Sequence, residues 1–350
     1  MDPIVLMQSK WGETFNIPWY LFLGGMSGGI LIVAAMTELI AGDKPKYHAL
    51  SGLSSLLVLP FMVIGGLALT FHLARPMRGF FFPIYMTNYS SWLTIGGWVI
   101  GVFVPVSLAI AAAWFFDIER KWRVALAIIG VPVGIFMCLY TGYLLSAAQF
   151  VPMWMEKFLP ILFLLSGLST GLAVCAINAY VVQYLPIFPQ SARDRIKSAN
   201  VEETAHILGL WDIGVLVLEI IWLSLFIIAL GKGGVGHRWV VKVLLEGNLA
   251  PWFWWGVVVV GLALPLALGL LEPILKKIYK LESGWLVNGP FFAKLHLVLI
   301  GGLILRYVIV WGGDVSQPLI YPPQMSEIPK VRSQGSSYAL SQALRKIHRR

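Results

Sequence analysis

Charged side chains are scarce in this 350-residue chain. Asp, Glu, Lys and Arg together make up 12% of it, about half of what a soluble globular protein carries. That shortage excludes a cytosolic enzyme and a disordered tail. Cysteine is nearly missing as well: Cys138 and Cys175 both lie inside apolar runs and form no CxxC pair. A disulfide scaffold is therefore excluded. So are an iron–sulfur cluster and a structural zinc held by the chain's own thiolates, because each needs several at short spacing. The opening MDPIVLMQSKWGETFN has no basic stretch followed by an apolar core, so no cleavable signal peptide is expected. No basic stripe is interleaved with exposed aromatic residues, so the net charge of +9 is not read as a nucleic-acid footprint.

Apolar sequence is abundant. Hydrophobic residues make up 58% and mean hydropathy is +0.78. Eight apolar runs recur, over Ile17–Glu38, Leu50–Leu73, Trp92–Phe116, Val124–Ala148, Leu159–Leu185, Thr204–Leu230, Trp252–Leu271 and Phe291–Trp311. Each is near the ~20 residues that cross hydrocarbon as a helix, and at that length in lipid a helix is the form that satisfies its own backbone. The expected fold is an all-α polytopic membrane protein. The odd-numbered connections, counted to include Lys294, hold twelve basic residues, against seven for the N-terminus and even connections. By the positive-inside rule the odd loops are cytoplasmic and both termini lie outside. The long aromatic even loops then form a face on which a partner can dock.

Two of the spans repeat. Pro18, Gly25, Ser27 and Gly29 of the first meet Pro160, Gly167, Ser169 and Gly171 of the fifth at a constant offset. Small residues four apart let membrane helices approach closely. A four-helix offset returns the chain to the same side, so a parallel repeat of two four-helix bundles is expected. The corresponding divisions are 1–150, 151–315 and an extramembrane tail over 316–350.

Polar groups within the spans are costly in lipid and are functional candidates for that reason. At the helical rise, Asn16, Tyr20, His72 and Tyr140 gather in the outer third of the first bundle, with Arg75 following His72 and Gly24 in the glycine-lined wall. Amide, hydroxyl and imidazole groups in an apolar pocket suit a neutral carbonyl ligand such as a quinone headgroup, whose reduction needs proton donors at both oxygens. Tyr20 and Tyr140 also fit a plainer role as core aromatics with satisfied hydroxyls. In the second bundle, Asp212 and Glu219 share one face of the sixth span. Glu219 and Arg306 come to similar depth, so an ion pair between them is expected, with Asp212 left to water or His206. These three either line a proton route or form a buried structural set. His206 and His296 lie near the inner ends of the sixth and eighth spans, which leaves a haem-bearing cytochrome b subunit as an alternative. A secondary transporter is another, since parallel repeats and buried charges occur there too.

The block Tyr140-Thr-Gly-Tyr-Leu-Leu, then Trp154, then Leu159-Pro-Ile-Leu-Phe-Leu-Leu-Ser-Gly-Leu-Ser-Thr-Gly resembles the NrfD/PsrC family of quinone-interacting membrane subunits of polysulfide-reductase-type complexes. Asn16-Ile-Pro-Trp-Tyr-Leu-Phe-Leu-Gly-Gly and Leu305-Arg-Tyr-Val-Ile-Val-Trp-Gly-Gly are similar too. The resemblance implies a prokaryotic inner-membrane anchor that exchanges electrons and protons between menaquinone or ubiquinone and a docked four-cluster iron–sulfur subunit. A molybdopterin catalytic subunit lies beyond that one, and the anchor itself holds no haem or iron–sulfur cluster. The resemblance carries the quinone-carbonyl ligand to Tyr140 and a second contact to Asn16. Where the family's polysulfide reductase has histidine one turn later, this chain has Tyr20, so Tyr20 or His72 is the expected proton donor. Asp212, Glu219 and Arg306 are the implied proton-pathway members.

Overall fold

The computed structural model describes residues 16–41, 54–72, 89, 91–148, 151–154, 157–181, 201–279 and 285–315. Arg75 and the expected tail over 316–350 lie outside the described residues. Among those described, helices cover nearly all and no strand occurs. The helices are α1 (Asn16–Ala41), α2 (Val58–His72), α3 (Trp92–Phe115), α4 (Arg120–Ser146), α5 (Leu159–Val181), α6 (Val201–Lys232) and α7 (Val235–Leu245). After these, α8 begins as a π-helix over Trp252–Ala263 and continues as an α-helix over Leu264–Tyr279, and α9 spans Trp285–Val315. Eight of them are long and apolar enough to cross a membrane. The protein is an all-α, multi-pass membrane protein.

The helix α7 falls inside what the residue pattern suggests is an aromatic loop. It buries Val240 and Leu244 and leaves Arg238 and Lys242 at least partly exposed. That one-sided pattern four residues apart is the signal that a loop reading passes over. A second difference concerns Lys294. Counted there with a cytoplasmic loop, it lies in the body of α9, which begins at Trp285 and runs through Pro290.

Burial is uneven along the chain. The core windows of α1 and α5 are 89% and 72% buried, whereas those of α2 and α3 are 28% buried. The central pair touches most of the rest: α1 packs on α2, α4, α5 and α9, and α5 packs on α1, α4, α6 and α9. Glycine makes that centre possible. A Cβ added to Gly167 would stand 2.7 Å from the Gly25 carbonyl oxygen, and one on Gly171 would strike Gly29 backbone. The repeated glycines of the two spans thus meet each other across the α1–α5 crossing. In lipid, where association depends on close packing, this seam holds the two central helices together.

A buried ion pair joins the far end of α1 to the start of α4. Arg123 Nε lies 3.0 Å from Glu38 Oε1, and Arg123 Nη1 lies 3.7 Å from Asp117. Asp117 turns the chain between α3 and α4 with φ 53°, a left-handed conformation that aspartate tolerates better than most residues.

Candidate functional site

The α1–α4 packing places Tyr20 and Tyr140 together near the N-terminal end of α1 and the C-terminal end of α4. Their hydroxyl oxygens are 3.5 Å apart, and each side chain is 1% exposed. At that separation the hydrogen bond is weak, so each hydroxyl retains capacity for another polar partner. One turn along α1, a Cβ on Gly24 would come 3.2 Å from Met137 and 3.4 Å from Thr141. Gly24 thereby lets α1 and α4 close up directly beneath the tyrosine pair. Asn16 begins α1 one turn before Tyr20 and is partly exposed. His72 ends α2, and its side chain lies outside the described part.

The three residues of the Tyr140-Thr-Gly block face three different neighbours. Tyr140 turns to Tyr20. Thr141 donates its hydroxyl to the Cys138 carbonyl at 2.7 Å, which satisfies it within its own helix. A Cβ on Gly142 would strike Pro160 at the start of α5, so glycine there allows the α4–α5 corner. Trp154 is fully buried and donates its indole N–H to the Ile309 carbonyl at 2.9 Å. A side chain on Gly313 would run into that indole, and one on Gly312 would meet the Met153 sulfur at 2.5 Å. The late Trp-Gly-Gly is therefore the seat of the Met153–Trp154 turn.

Two glycines in the tyrosine surroundings escape sequence reasoning. The Tyr140 phenol lies directly over Gly96 of α3, so that a Cβ there would fall on the hydroxyl and its ring carbon. A Cβ on Gly65 of α2 would stand 3.8 Å from the Tyr20 ring. Nothing in one sequence pairs a mid-span glycine with a tyrosine on another helix.

The second polar set lies among α5, α6 and α9, and its pairing differs from expectation. Asp212, 0% exposed, accepts a hydrogen bond from Ser169 Oγ at 2.7 Å and pairs with Lys294 Nζ at 3.0 Å. Lys294 also donates to the Gly209 carbonyl at 2.6 Å. The carboxylate expected to be left with water or His206 is therefore held by a buried lysine. Conversely, the described residues contain no direct Glu219–Arg306 ion pair. Arg306 points instead toward the central helices, with Nη2 donating to the Phe163 carbonyl at 3.2 Å and Cζ 4.3 Å over the Phe163 ring. A carbonyl and an aromatic face share the guanidinium there. A Cβ on Gly25 would come 3.2 Å from the same Nη2, so the repeated glycine also clears room for this side chain. Arg306 Nε and Nη1 have no hydrogen-bond partner among the described residues. Glu219, Ser166, Ser169 and Thr170 line a small cavity closed by α8 and α9. About 10 Å³ of it is open to the centre of a water molecule, room for about one. The His206 and Phe291 rings lie 4.8 Å apart, tilted at 54° to each other, while His296 is exposed and bonds its own helix at the Phe292 carbonyl.

These features define a polytopic helical membrane protein with two buried polar sets, one of neutral phenols and one of charges, on either side of a glycine seam. The protein belongs to the NrfD family: it matches "Polysulphide reductase, NrfD" over residues 6–317. It is 28% identical to the C subunit of polysulfide reductase from Wolinella succinogenes over 339 residues, which cover 88% of this protein and 99% of that one. It is likewise 28% identical to Protein NrfD of Escherichia coli strain K12 over 321 residues, covering 85% and 93% of the two proteins. A Haemophilus influenzae NrfD homolog is 24% identical over 327 residues, covering 86% and 94%.

Proposed function

We propose that the protein is the quinone-reactive membrane anchor of a respiratory oxidoreductase complex, exchanging electrons and protons between menaquinone or ubiquinone and an extrinsic iron–sulfur subunit. The observation that carries this reading is the buried Tyr20–Tyr140 pair, two hydroxyls 3.5 Å apart in an apolar setting. Such a pair fits a neutral ring carbonyl, because a hydroxyl can donate to it without burying a charge. A bound quinone supplies the two-electron, two-proton chemistry. Tyr140 would hold a headgroup oxygen by a hydrogen bond from its hydroxyl and so fix the ring's orientation. Tyr20, in contact with it, passes a proton on or engages the same oxygen. Asn16, Gly24, His72 and Arg75 are assigned to the same quinone site, with Tyr20 or His72 as the further proton donor.

In this reading both termini lie outside a prokaryotic inner membrane. The four-cluster subunit docks on the outer face, with a molybdopterin subunit beyond it. The name of the Wolinella relative, a subunit of a polysulfide reductase, supports membership of such a complex. Helices α1–α4 form one half around the tyrosines and α5–α9 the other, the halves meeting as a parallel repeat along the glycine seam. Asp212, Glu219 and Arg306 form a proton route with Lys294, Ser169 and the small cavity as intermediate stations. The Arg306 N–H groups without partners among the described residues suit ordered water.

Replacing Tyr140 by Phe removes the hydroxyl and little volume. The expected result is a loss of quinone-linked turnover of roughly 10²-fold or more, with the complex still assembled. Unaltered quinone kinetics in an assembled Tyr140→Phe complex would remove the basis of the reading.

A further inference from the structure

We infer that Gly96 of α3 is a positioning residue for Tyr140: the missing side chain of Gly96 is the seat into which the phenol head fits, and it sets where the hydroxyl stands relative to Tyr20. This rests on the quinone reading above, and it assigns a role to a residue that contributes no chemistry of its own.

Three observations carry it. A Cβ built on Gly96 would lie 2.6 Å from Tyr140 Cε2 and closer still to Cζ and the hydroxyl oxygen. The nearest encroached atoms are thus those at the hydroxyl end of the ring. Secondly, the hydroxyl has little freedom to yield, because the side chain is 1% exposed and Tyr20 stands beside it at 3.5 Å. Close-packed surroundings transmit a methyl group as a displacement or a strain. Thirdly, α3 has a built-in comparison. Five residues further along, a Cβ on Gly101 would meet nothing within 4 Å. Both positions are glycine within one helix, but only one faces a functional side chain.

An alanine at Gly96 moves the phenol head out of its seat while leaving the phenol in the protein. Misplacing a reacting group by about 1 Å costs on the order of 10²-fold. The expected signature is a weaker grip on quinone, read as a tenfold or larger rise in KM for a water-soluble quinone analogue, with Gly101→Ala unchanged. A general loosening of α3 would move both variants together and overturn the inference.

The test uses the assembled complex and five variants: Tyr140→Phe, Tyr140→Leu, Gly96→Ala, Gly101→Ala and Gly96→Ala/Tyr140→Leu. Should Gly96→Ala fail to assemble, the last variant decides, because leucine at 140 vacates the space the alanine methyl needs. Restored assembly supports the seat, and continued failure overturns it. Where Gly96→Ala does assemble, its effect on quinone-analogue binding is expected to vanish in the Tyr140→Leu background. Additive effects there overturn the inference. Altered kinetics in Tyr140→Phe combined with normal kinetics in Gly96→Ala defeat the inference and leave the quinone reading standing. Normal kinetics in Tyr140→Phe defeat both.

Discussion

The tyrosine pair between α1 and α4 and the charged set among α5, α6 and α9 bury polar groups in opposite ways. The first is neutral, loosely bonded at 3.5 Å and seated on glycines. The second is ionic, with Asp212 gripped by Ser169 at 2.7 Å and by Lys294 at 3.0 Å, and with Arg306 held by the Phe163 carbonyl and ring. A phenol hydroxyl without a strong partner costs about 1–3 kcal/mol in an apolar interior, whereas a lone buried charge costs more. On the quinone reading, the loosely bonded pair has hydroxyl capacity to spare, whereas Asp212 is committed to Ser169 and Lys294.

Cutting one partner from the charged set exposes this difference most strongly. Lys294→Met leaves Asp212 buried without its cation, so the complex is expected to lose about 3–5 kcal/mol of stability, seen as a collapse of assembled complex after detergent extraction. Lys294→Met/Asp212→Leu is expected to recover most of it. Next comes the seam that separates the two regions. Gly171→Leu forces a side chain into Gly29 backbone, an overpacking expected to cost about 1–3 kcal/mol and measurable as a lowered unfolding temperature. By contrast, Tyr140→Phe is expected to cost stability no more than about 1 kcal/mol, although quinone-linked turnover is lost. Equal thermal losses in Tyr140→Phe and Lys294→Met would erase the contrast between the regions. The smallest effect belongs to Lys121→Ala. Lys121 pairs with Glu119, both side chains 68% exposed, and removing such a pair changes stability by about 0–1 kcal/mol, a baseline for the others.

Several parts of the site are legible from residue types and spacing. Tyr20 and Tyr140 are placed at matching depth by counting along antiparallel spans, and they do meet. The glycines at the constant offset are legible as close-approach points. Their actual partners, each other, are not, because a small-residue pattern states that a helix will be approached and not by which one. Lys294 reads as a loop cation because lysine avoids lipid. Inside the fold it is tolerated because Asp212 and the Gly209 carbonyl stand within reach. Arg306 reads as the partner of Glu219 on depth alone. Its choice of the Phe163 carbonyl and ring depends on rotation about the helix axis, which depth does not specify.

By itself the amino-acid sequence determined the number of spans and where along its helix each polar group falls. Lipid offers the backbone no hydrogen bonds, so every apolar run of sufficient length becomes a helix with a fixed rise per residue. Tertiary structure alone decided which faces meet: that Gly96 lies under the Tyr140 phenol, that Asp212 takes Lys294, and that the repeated glycines close on one another. Those outcomes depend on helix rotation and neighbour choice, which are settled by packing among all the spans at once.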